Sequence, residues 1–159
     1  MSETRRKFPE RLKKVQVPLP SGEWHGFETE SLWVEEVSKG KFRVENSPFF
    51  AKGVSFEDIV TASEKNGLLI FERVVISSGR STYRIIPDKD IGDETFSKFW
   101  LPLNHLGCTF ESADFGYKIY SVDVPSHSNI HEVYHLLDVG EKGGVWGFDE
   151  GNCGHLEQL

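Results

Sequence analysis

Residues 81–86 read Ser81-Thr82-Tyr83-Arg84-Ile85-Ile86, and residues 93–107 read Asp93-Glu94-Thr95-Phe96-Ser97-Lys98-Phe99-Trp100-Leu101-Pro102-Leu103-Asn104-His105-Leu106-Gly107. The first run is rich in β-branched and aromatic residues and follows the turn Ser77-Ser78-Gly79-Arg80, so it is expected as a strand. In the second, Phe96, Phe99, Trp100, Leu103 and Leu106 recur at the spacing of one helix face. Asp93 is the expected N-cap and Gly107 the expected residue just past the C-terminus. Pro102 is expected to kink this helix or end its regular part early, because it lacks an N–H. The switch from strand to helix periodicity makes the fold class α+β.

Downstream, Cys108 to Ala113 and Tyr117 to Val124 form a hairpin around Asp114-Phe115-Gly116. A second helix is expected from Ser128 or Asn129, turning Ile130, Val133, Tyr134 and Leu137 inward. Strand, helix, strand, strand, helix and a short terminal segment make most of a ferredoxin-like βαββα unit.

Upstream, Val15-Gln16-Val17 meets Pro18 and Pro20 as a short edge strand. Ser31 to Val37 and Lys41 to Glu45 flank Ser38-Lys39-Gly40 as a hairpin whose inner face is Leu32, Val34, Phe42 and Val44. Asn66-Gly67 is a strong turn signal before Leu68 to Ile76. Residues 15–86 are therefore expected as an antiparallel sheet or small barrel. The expected organisation is a flexible basic arm over 1–14, a β-rich subdomain over 15–86, and a ferredoxin-like subdomain with its tail over 81–159.

The 159 residues carry a net charge of −7, unevenly placed. The arm holds Arg5, Arg6, Lys7, Arg11, Lys13 and Lys14 against Glu3 and Glu10, net +4, which leaves −11 on the rest. An acidic body repels phosphate backbones, so general nucleic-acid binding is not expected, whereas a basic protein partner would be steered toward it. No apolar run suits a bilayer and no apolar stretch follows the basic N-terminus, which points to a cytoplasmic protein. Cys108 and Cys153 are expected as free thiols, with one disulfide left open.

Several fixed-order blocks resemble a bacterial family known as domain of unknown function 4265. They are Glu30-Ser31-Leu32-Trp33, Phe42-Arg43-Val44-Glu45-Asn46-Ser47-Pro48-Phe49-Phe50-Ala51-Lys52-Gly53-Val54 and Phe71-Glu72-Arg73-Val74-Val75. Gly79-Arg80-Ser81-Thr82-Tyr83-Arg84, Gly144-Val145-Trp146-Gly147-Phe148 and Glu150-Gly151-Asn152-Cys153-Gly154-His155 continue the likeness, over roughly residues 14–155. The resemblance implies a stand-alone bacterial protein with the family's fold and brings no activity with it.

Four segments carry chemistry-bearing residues. His131-Glu132-Val133-Tyr134-His135 has the H-E-x-x-H spacing, in which two imidazoles on one helix face hold zinc and Glu132 serves as base. The inward set of the same helix turns both histidines to solvent, and Asp138 and Glu141 stand where a third ligand would follow. The family likewise keeps the apolar positions of this segment without requiring the histidines. No metal and no cofactor are therefore expected. Cys153 with His155, near Asp149 and Glu150, offers a thiol and a base, but residues two apart seldom face each other and turn chemistry is the expectation.

Arg80, Ser81, Thr82 and Arg84 could bind an anion after the Gly79 turn, or pair with local carboxylates. Phe49 and Phe50 follow Pro48 either as a partner-binding loop or as anchors into the core. These readings lean away from an enzyme. They favour a protein-binding module, such as an immunity protein that neutralises a toxin domain, over an anion-binding regulatory domain with its crevice between the two halves.

Overall fold

The computed structural model describes residues 11–155. Five strands, β1 (Leu12–Pro18), β2 (Thr29–Ser38), β3 (Lys41–Val44), β4 (Ile59–Lys65) and β5 (Leu68–Ile76), close into a barrel in sequence order. An odd number of consecutive antiparallel strands leaves the first and last running the same way. The barrel accordingly closes through a parallel pairing of Val15 with Leu69 and Gln16 with Ile70. Alternation drives Val15, Val17, Leu32, Val34, Phe42, Val44 and Val60 into the interior. Ala51 and Val54, from the long β3–β4 connection, join that core. At the β4–β5 turn, Asn66 and Gly67 both take positive φ, as a tight primed turn requires.

The arm expected over 1–14 gives way to β1 at Leu12, where Leu12, Lys13 and Lys14 pair with Glu35, Val34 and Trp33. The rest of the expected arm, up to residue 10, lies outside the described residues.

The second half is a four-stranded antiparallel sheet. Its strands are β6 (Ser81–Pro87), β7 (Thr109–Asp114), β8 (Lys118–Val124) and β9 (Trp146–Asn152), in the order β7-β8-β6-β9. Helices α1 (Asp93–His105) and α2 (Ile130–Lys142) cover one face, burying Leu103, Ile130, Val133 and Leu137 against Tyr83, Ile85, Val122 and Val124. The chain is α+β with two sheets and two helices. Among the described residues no helix is long and apolar enough to cross a membrane.

Local details depart from expectation for identifiable reasons. Gly92, not Asp93, caps α1, and Asp93 becomes its first residue, where a carboxylate still favours the helix dipole. Pro102 does not stop the helix, which continues to His105, since so near the C-terminus its missing donor costs one intrahelical bond. Tyr134 stays half in solvent at the flank of α2, its ring edge-on to Phe148 at 5.5 Å. The terminal segment is a full strand, β9, paired along β6.

Candidate anion-binding site

Strand β6 has two faces. Tyr83 and Ile85 join the helix-covered core, so Thr82 and Arg84 point the other way, toward the barrel. A central strand seldom buries a guanidinium, yet Arg84 is only 4% exposed. Its Nη2 donates to the Ala51 carbonyl, and its Nε has no partner among the described residues. No ion pair among the described residues includes it. Burial holds its pKa below the usual arginine range, with Asp149 and Glu30 acting against that shift from a distance.

The surroundings are built to accept this side chain. Glu30 takes the backbone N–H groups of Phe49 (2.7 Å), Phe50 (2.9 Å) and Ala51 (2.7 Å), which fixes the loop whose carbonyl meets Arg84. That carboxylate is thereby committed to the loop. Gly151 on β9 lies flat against the guanidinium; a Cβ there would sit 2.6 Å from Cζ. Arg84 forms part of the wall of a half-open cavity of about 210 Å³, with Trp24, Ile86, Gly147, Phe148 and Asp149. Trp24, Ile86 and Phe148 are the cavity's apolar side chains, and Phe148 also packs against the helix-side core.

The other residues singled out in the sequence fall elsewhere. Arg80 pairs with Asp123 (2.5 Å) and Glu57 (2.9 Å), so its charge is already matched. Ser81 Oγ lies 2.6 Å from His155 Nδ1, and His155 Nε2 lies 2.9 Å from the Pro125 carbonyl. A carbonyl only accepts, so Nε2 carries a proton; in the neutral ring Nδ1 then accepts from the Ser81 hydroxyl. Ser81 Oγ in turn accepts from Gly154 N–H at 2.9 Å. The serine and the imidazole are both buried with their bonding filled, an arrangement that ties the tail to β6.

Both nitrogens of His155 are thus occupied and neither serves Cys153, which packs half-buried against the second core. Thr82 meets Ser55 at 2.8 Å, and Asn152 donates to the same Ser55 hydroxyl at 2.8 Å. Phe50 is buried within a group of rings that includes Trp24, His25, Phe27 and Phe115, while Phe49 is half-buried beside Phe115. His131, Glu132 and His135 lie exposed along α2, lining an open groove against α1 with His105. Among the described residues no group of three or more His, Cys, Asp or Glu is placed to hold a metal ion.

The sequence pattern of a known family matches residues 30–148, three quarters of the chain. The chain belongs to the family described as Domain of unknown function (DUF4265). The matched stretch holds Glu30, Ala51, Arg84 and Gly147, so this DUF4265 member carries most of the cavity within its family region. A solved structure titled "Novel crystal structure of a hypothetical protein from Neisseria gonorrhoeae" shares the fold, with a TM-score of 0.75 at 18% identity. The alignment covers 88% of this chain and 94% of that one. No curated protein matches the sequence.

Reasoning from sequence names Arg84 but misses Trp24, Gly147 and Asp149. An arginine at the centre of an otherwise uncharged strand is the available signal. Its cavity partners come from distant segments before and after β6 in the chain, and local patterning cannot reach them.

Proposed function

We propose that this DUF4265 protein is a binding module whose site is the crevice between barrel and second sheet, taking a small ligand through a carboxylate or phosphate group. The observation that carries this reading is Arg84, a buried guanidinium beside a cavity, with no partner for its Nε and no ion pair among the described residues. An uncompensated buried charge costs on the order of 3–5 kcal/mol. An oxyanion at the cavity wall would supply the missing charge and accept from the part of the guanidinium that the Ala51 carbonyl leaves free. The strand order β7-β8-β6-β9, with every neighbour antiparallel, supports a ferredoxin-like description of the half that carries this site.

The test is thermal unfolding and calorimetric titration with a panel of small carboxylates and inorganic phosphate. Ligand bound to the native state raises Tm with concentration. Wild type is expected to show a saturable rise that Arg84→Met abolishes. Unliganded Arg84→Met is expected to melt at or above the wild-type temperature, because it removes a buried unpaired charge. If no anion raises Tm, the reading fails.

A second reading, a cytoplasmic module for a basic protein partner such as a toxin domain, is supported by an exposed aromatic patch that meets the cavity at Trp24. Trp24, Phe27 and Phe115 expose 60%, 38% and 42% of their area beside Glu23, Glu28 and Asp114, on a chain of net charge −7. Aromatic rings with an acidic rim suit a basic, desolvating contact. Pull-down with the product of a neighbouring toxin-like gene, lost in Trp24→Ser, tests it.

A further inference from the structure

We propose that the ligand of the Arg84 cavity is a small zwitterion of the α-amino-acid type, its carboxylate on Arg84 and its ammonium at Asp149. This rests on the anion-binding reading of Arg84 and specifies what else the ligand must carry.

Arg84 and Asp149 are direct cross-strand partners, so their side chains leave the same face of the sheet. Opposite charges placed this way ordinarily pair. Here they do not. The guanidinium turns inward to the Ala51 carbonyl, while Asp149 remains exposed on the same cavity wall. A site that presents separated charges of both signs on one wall is complementary to a molecule that does the same.

Electrostatics discriminates against a simple anion. Asp149 and Glu30 are the carboxylates that act on Arg84, and an added carboxylate would enter their field. The whole chain, at net −7, adds to that repulsion. A ligand that brings its own ammonium to Asp149 escapes the penalty and gains a second contact. Trp24, well exposed at the same cavity, offers a ring face to that cation.

Size sets the scale of the ligand. The cavity volume is about 210 Å³. That is smaller than the usual site for a drug-sized molecule, and it suits one small molecule with a modest apolar side chain against Ile86. Gly147 keeps that space open: a Cβ added there meets nothing within 4 Å.

The test is calorimetric titration with matched probes: L-leucine, 4-methylpentanoate and 3-methylbutylamine, and the corresponding set built on L-phenylalanine. Wild type is expected to bind at least one amino acid about tenfold more tightly than its deaminated acid, and the amines not at all. Asp149→Asn should remove that preference while leaving the acid's Kd unchanged or tighter. Gly147→Val should block binding while the unliganded Tm stays within about a degree, since the added methyls enter open space. If the deaminated acids bind wild type as well as the amino acids, or if Asp149→Asn keeps the preference, the zwitterion is overturned and the role of Arg84 in anion binding survives. If no amino acid and no acid binds, the zwitterion is overturned, and the anion-binding role of Arg84 falls with it when inorganic phosphate also fails to bind.

Discussion

Asp123 shows how a single carboxyl reports on its surroundings. Its Oδ2 meets Arg80 at 2.5 Å, but its Oδ1 is buried without a partner among the described residues. Burial raises its pKa above the ordinary carboxylate value and outweighs the guanidinium of Arg80, which lowers it. The folded state therefore holds this proton more tightly than the unfolded chain does. The stabilisation is fully present below the unfolded value, about 3.9, and is lost as pH rises through the folded one. Asp123→Asn cannot titrate and keeps an oxygen for Arg80. The urea midpoint of wild type relative to this variant should fall as pH rises above about 4, then level off above the raised folded value. A relative midpoint that climbs with pH would show that Arg80, not burial, governs the group.

At the scale of elements, glycines impose constraints that a periodicity analysis does not weigh. Gly140 on α2 faces Trp146 so closely that a Cβ would overlap the indole, whose Nε1 donates to the Leu137 carbonyl at 2.9 Å. Gly140→Ala gains about 1 kcal/mol of helix propensity and incurs about 1–3 kcal/mol of overpacking. The urea midpoint should fall with the slope unchanged, by a net on the order of 1 kcal/mol; a rise would mean the indole moves aside freely. The same consideration explains what is legible in the sequence. Asn66-Gly67, Gly107 and the Asn129 cap are local signals, and each sits where its chemistry is needed. Strand β9 is concealed because Gly147 and Gly151 dilute its β character; Gly151 must stay bare because Arg84 lies against it, and Gly147 borders the cavity. Tyr134 is misplaced by its spacing, which identifies a helix face but not its flank. The Arg84–Asp149 pairing depends on a register between residues far apart in sequence, which no local pattern contains.

For the whole molecule, the decisive feature is the polar seam joining the barrel to the second sheet. Ser47 meets Ser121 at 2.7 Å, Ser121 also donates to the Pro48 carbonyl, and Ser55 bridges Thr82 and Asn152. Gly53 N–H donates to the Gly151 carbonyl at 2.9 Å, joining the β3–β4 connection directly to β9. Opening the seam would let water replace these hydrogen bonds, so their net loss is modest. The larger cost is exposing Ala51 and Val54, which join the barrel core from the same loop. Loss of the second sheet thus loosens the barrel's own core. The two halves are expected to unfold in one transition. Variants retaining only Trp33, on β2, or only Trp146, on β9, report each half separately. Their urea curves should share a midpoint with one another and with far-UV circular dichroism. A barrel signal that persists after the Trp146 signal is lost would show that the seam is a contact between two independently stable units, and the cavity at Arg84 would then open and close without global unfolding.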